Sequence, residues 1–142
     1  VALQGVERAD LGAWELRVYE AVRVLIFLDR GEHQRASQLA PLALPTGDKE
    51  LDRRLGLLMV RAAWGDAGRL EAVERGLYAA GAALHDLVLL IRVRLEELAE
   101  GHVRLRFSHR VCRRVCEVAV ELGEEELASR ILASSSGDGA YR

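Results

Sequence analysis

The chain has 142 residues, half of them hydrophobic and 30% charged, with 20 basic against 22 acidic side chains. The length sets an expectation of one domain, and the apolar half supplies a core and excludes a disordered chain. No apolar run nears the roughly 18 residues of a membrane span, and a net charge of −2 gives no global attraction to nucleic acid.

Residues 1–9 read as a lead-in. Asp10 can cap a first helix running to about Arg30, whose apolar positions Trp14, Val18, Ala21, Val22, Leu25 and Leu28 recur at three and four. Gly31 is placed to close it in the left-handed conformation. A short helix over about Glu32–Leu44 follows. Its narrow face of Ala36, Leu39, Ala40 and Ala43 would let two helix backbones approach closely. Pro41 inside it removes a donor and should kink it or start its last turn. Pro45-Thr46-Gly47-Asp48 is the clearest loop.

A third helix is expected over Lys49–Trp64, with Leu51, Leu55, Leu58 and Ala62 inward. Asp66 can cap the next, which carries Leu70, Val73, Leu77 and Tyr78 to about Ala80. Leu84–Glu100 is a long helix with Leu84, Leu87, Val88, Ile91, Leu95 and Leu98 inward. After Gly101 a long helix is expected over Val103–Leu122, with Val111, Val115, Val118 and Leu122 inward and Cys112 and Cys116 adjoining. Gly123 ends it. Glu124–Ala133 is a short last helix with an acidic first turn that suits the macrodipole, and 135–142 is a Ser/Gly-rich tail expected to be flexible.

The segments Gly31-Glu32-His33-Gln34-Arg35-Ala36 and Gly123-Glu124-Glu125-Glu126-Leu127-Ala128 share a turn glycine, polar residues, then an alanine five positions on. Ala43-Leu44 follow the first before a proline-containing turn, and Gly65-Asp66 supplies a similar turn with Leu70 in place of the small residue. With glycines 31, 65 and 101 spaced 34 and 36 apart, residues 10–134 resemble a tetratricopeptide-like array. The resemblance implies an all-α fold of about seven helices, in antiparallel pairs stacked as a short solenoid. It further implies a non-catalytic protein-binding module of the kind found in large bacterial transcription regulators. The rival is an irregular helical bundle. Of the 20 basic residues only Lys49 is lysine, an arginine bias that suits a GC-rich bacterial genome. The start lacks a basic region ahead of an apolar stretch, so a cytoplasmic location is expected.

One stretch is electrostatically distinct. Residues 101–116 hold Arg104, Arg106, Arg110, Arg113, Arg114, His102 and His109 and no carboxylate. On a continuous helix His102, Arg106, His109, Arg110 and Arg113 would share a face. This is the expected partner-binding stripe, suited to an acidic protein surface. The alternatives are a solvated face paired with Glu96, Glu97 and Glu100, or a phosphate-binding surface of a small nucleic-acid-binding helical protein. A homodimer is left open, because the apolar ends of a solenoid invite a second copy.

Other chemistry is thinly represented. Cys112 and Cys116 could share a metal with His109, but a structural zinc needs four ligands, and two buried core thiols are the expected reading. Arg104 and His109 have a loose ribonuclease-like spacing without a supporting polar residue. Ser37, Ser108 and Ser129 sit in helices without a strained elbow, and no glycine-rich phosphate loop is present. No catalytic, cofactor or metal residue is assigned. Trp14, Trp64 and Tyr78 are expected to pack in the core, with a groove-lining contact as the alternative.

Overall fold

The computed structural model describes residues 12–103 and 107–137. Among them are seven α-helices and no strand: α1 (Ala13–Asp29), α2 (His33–Ala43), α3 (Lys49–Ala63), α4 (Ala67–Ala79), α5 (His85–Glu100), α6 (His109–Glu121) and α7 (Glu125–Gly137), with a 3-10 turn at Gly81–Leu84. No helix of the described residues is long and apolar enough to cross a membrane. The chain divides between Leu84 and His85 into two compact units, where the sequence suggested one array over 10–134.

In the first unit α1 packs on α2 and α3 on α4, while α2 lies against α4 and α1 against α3. The small-residue face of α2 works as its composition suggests. Ala36, Ala40 and Ala43 are fully buried, and Gly76 of α4 meets Ala40 closely. Pro41 is followed by only two more helical residues. Arg17 of α1 donates to the carbonyls of Leu42 and Leu44 at 3.2 and 3.4 Å, covering acceptors that a helix end leaves open.

Caps fix the boundaries. Gly31 has φ +75°, the Gly31 N–H bonds to Leu28 O at 3.1 Å and the Glu32 N–H to Phe27 O at 2.9 Å, the paired bonds of a Schellman closure. Gly123 repeats it with φ +80°, its N–H bonded to Val120 O at 2.9 Å and the Glu124 N–H to Ala119 O at 2.8 Å. Gly101 closes α5 at φ +78°. Gly65 does not take a positive φ; there the chain turns through Trp64 and restarts at Asp66, whose carboxylate accepts from the Arg69 N–H at 3.0 Å. Asp48 caps α3 through bonds from the N–H groups of Glu50 and Leu51. Asp10 lies outside the described residues; α1 starts after Gly12 without a side-chain cap.

Several inward faces are rotated from those the periodicity suggested. On α1 the buried residues are Glu20, Ala21, Val24 and Leu28, with Val18, Val22 and Leu25 only half-buried; the Trp14 side chain lies outside those described. On α3 the buried stripe is Asp52, Leu55, Gly56, Met59, Val60 and Ala63, while Leu58 is exposed. Asp52 can sit inside because Thr46 donates to it twice, from N at 2.7 Å and Oγ1 at 2.6 Å. Tyr78 is half exposed and Leu98 exposed, and Trp64 is half-buried, so neither aromatic is a core residue.

The second unit packs α5 against α6 and α6 against α7 around Leu87, Leu90, Ile91, Val115, Val118, Leu127 and Ile131. Glu97 is buried and lies between Arg94 on its own helix and Arg130 on α7. Arg94 Nη1 donates to its Oε1 at 2.5 Å. Arg130 Nη2 stands 2.5 Å from Oε2 as an ion pair without hydrogen-bond alignment. Helix α7 runs past Ala133 to Gly137, so the Ser134–Ser136 run forms its last turn.

Candidate functional site

The expected basic stripe is broken by the start of α6. The sequence suggested a helix from Val103, but Ser108 accepts from the Val111 N–H at 3.3 Å and caps a helix that begins at His109. His102 is therefore off the helix, next to Glu100, whose carboxylate is 3.7 Å from its Nε2. Arg106, with Arg104, lies outside the described residues. What α6 does present is His109, Arg110, Arg113 and Arg114, all exposed, in its first turn and a half.

These arginines are not neutralised as a solvated face would be. Glu97 is committed to Arg94 and Arg130. Among the described residues Arg110, Arg113 and Arg114 have no carboxylate at ion-pair distance.

His109 and Arg113 lead into a groove of about 560 Å³ between α6 and α7. Cys116, Val120, Ala128 and Leu132 line its apolar part, with Glu117 and Glu121 on the α6 side. Val120 is 52% and Leu132 48% exposed, an unusual placing for two aliphatic side chains that flank one hollow. The α6–α7 packing beneath is tight: Cys116 Sγ is 3.6 Å from Ala128 O and Cys112 Sγ 4.0 Å from Ile131 O. Both cysteines are free and buried. Burial, and then the adjoining Cys112, push the Cys116 thiol up to about 12, so it stays protonated and is no nucleophile at neutral pH. His109, which could have completed a metal set with the two thiols, is exposed at the helix start. No group of three metal-ligating side chains occurs among the described residues.

A hollow of about 670 Å³ at the start of α3 is lined by Thr46, Asp48, Glu50 and Arg54, among others. Its polar groups serve one another: Asp48 caps the helix, and Arg54 pairs with Glu50 at 2.6 Å. Arg23 of α1 is likewise occupied, stacked 5.8 and 5.7 Å from the Tyr19 and Phe27 rings and bonded to Glu20. The α6–α7 groove differs in combining uncovered apolar side chains with Arg113, which has no carboxylate at ion-pair distance among the described residues.

Sequence reasoning found the cationic end of this groove and missed its apolar part. Val120 and Leu132 were hidden because a helix face is recognised as buried or exposed only against its neighbours. The legible signal was the four-residue spacing of His109, Arg113, Glu117 and Glu121, which places two signs of charge on one line of α6.

No known family model, curated protein or solved structure matches the chain.

Proposed function

We propose that this chain is a non-catalytic protein-binding helical module of tetratricopeptide-like construction, the regulatory or scaffold part of a bacterial transcription regulator. The α6–α7 groove is its working surface. The observation that carries the reading is the pair Val120 and Leu132, each about half exposed beside an apolar hollow. Grooves of this kind between helices take an amphipathic helix, with apolar anchors in the hollow and charges at the rim. The neighbour pattern of α1 to α4, two helix pairs meeting through α2–α4 and α1–α3, supports the repeat-like construction. The protonated Cys116 thiol supports a binding role for the groove over covalent catalysis.

A photo-crosslinking residue at Leu132, with a control at the exposed Glu71 of α4, tests the reading in cells. Protein adducts at position 132 and none at the control are expected; no protein adduct at position 132 would overturn it.

The second reading is phosphate binding, favoured by Arg110, Arg113 and Arg114, which have no carboxylate at ion-pair distance among the described residues. It predicts a complex with a short duplex that weakens steeply with salt and is lost on reversing these charges. The groove reading predicts no such complex.

A further inference from the structure

The charges of α6 are laid out against the helix's own dipole. His109 and Arg110 occupy the first turn and Glu121 the last, where the macrodipole favours the opposite signs. Such an order weakens the isolated helix.

The order is also self-complementary. His109, Arg113, Glu117 and Glu121 stand four residues apart in one line, two cationic or cation-forming side chains followed by two anionic ones. Reversing a copy of this line puts Arg113 of each chain opposite Glu117 of the other, and His109 opposite Glu121, in a single register. The apolar residues follow the same symmetry. Cys116 lies beside Ala128 and Cys112 beside Ile131, so Leu132 on α7 stands level with the basic half of α6 and Val120 with the acidic half. The reversal that matches the charges therefore also brings Leu132 of each chain towards Val120 of the other.

From this coincidence we infer that the occupant of the α6–α7 groove is α6 of a second copy of this chain, laid antiparallel in a two-fold dimer. The inference rests on the protein-binding reading of the groove and names its partner. A two-fold interface is isologous, so each complementary contact occurs twice. This doubles the effect of any single charge change.

Sedimentation of the full chain tests it, with helix content checked by circular dichroism. The wild type is expected at twice its 15.7 kDa. Val120→Asp, at an exposed site, should keep its helices and run as a monomer. Arg113→Glu and Glu117→Arg should each raise the dimer Kd by about tenfold, two like-charge contacts replacing two attractive ones. The double variant Arg113→Glu/Glu117→Arg should return towards the wild-type Kd. A wild type that stays at 15.7 kDa up to its highest soluble concentration would overturn the inference. So would a dimer that Val120→Asp leaves intact, or a double variant no tighter than the singles. In any of these cases, adducts from position 132 to other proteins keep the protein-binding reading and remove only the second copy; no protein adducts remove both.

Discussion

Gly76 on α4 lies so close to Ala40 on α2 that a Cβ built on it would stand 2.4 Å from the Ala40 Cβ and 3.0 Å from its carbonyl carbon. Two helix backbones meet there with only the Ala40 methyl group between them. This contact joins the first helix pair of unit 1 to the second. It depends on both residues being small, because α4 has no room for a methyl group without moving α2.

Gly76→Ala should therefore destabilise the chain by about 1–3 kcal/mol, the usual cost of overpacking. In a free helix the same change would help by about 1 kcal/mol, so the sign tests the contact. Ala40→Gly in the same chain should recover part of the loss, since the nearest clashing atom goes and the backbone atoms stay. Urea unfolding measures both. A stabilised Gly76→Ala variant would contradict the close approach.

Asp66 supplies a pH-dependent cap. Its carboxyl is held below the ordinary 3.8 mainly by the hydrogen bond from the Arg69 N–H, with His33 and the Gly68 N–H adding to this and desolvation opposing it. A depressed folded pKa means the stabilisation is present above the unfolded pKa and is lost as pH falls through the folded one. Asp66→Ala should lower Tm at neutral pH, and the gap to wild type should close in acid below pH 3.8. Asp66→Asn, still a good cap, should hold more of the neutral stability and shed this pH dependence. A gap that widened in acid would refute the assignment.

The Cys116 thiol should be inert in the folded chain. With Cys116 pushed up to about 12 by burial and its sulfur against the Ala128 carbonyl, labelling of Cys116 by an aromatic disulfide at mild alkaline pH should run roughly a thousandfold slower than in the unfolded chain. That factor follows from the fall in thiolate relative to a free thiol near 8.5. Rapid native labelling of Cys116 would show that α6 and α7 are not packed as described.

Glu97 ties α5 to α7 through Arg130 while Arg94 holds it from its own helix. Glu97→Gln keeps the shape and removes the charge, leaving Arg94 less well paired. A cost of about 1–3 kcal/mol is expected. Arg130→Ala, at a half-exposed side chain, should cost under about 1 kcal/mol. Chemical denaturation separates the two, and equal costs would place the weight of the pair on Arg130 instead.

Local chemistry in the sequence determined the helices and most of their ends. Gly31 and Gly123 could be read as closures because glycine takes a positive φ without strain, and Asp66 as a cap because short carboxylates bond to first-turn N–H groups; Asp48 was read only as loop. The small face of α2 was legible because Ala36, Ala40 and Ala43 recur on one side of a helix. The helix expected from Val103 placed Ser108 inside it, whereas Ser108 caps a helix that starts at His109, so His102 was carried onto a face it does not share.

Only the tertiary structure decided which apolar side chains are covered. Leu58, Leu98 and Val120 fit an amphipathic pattern as well as Met59 and Val24 do, yet the first three are exposed and the last two buried. Periodicity locates a stripe to within a residue or so of rotation, and the angle at which the neighbouring helix arrives selects among the choices. The same limit applies to the groove. The charges along α6 are written in the sequence, but the apolar hollow beside them exists only because α7 returns against Cys112 and Cys116.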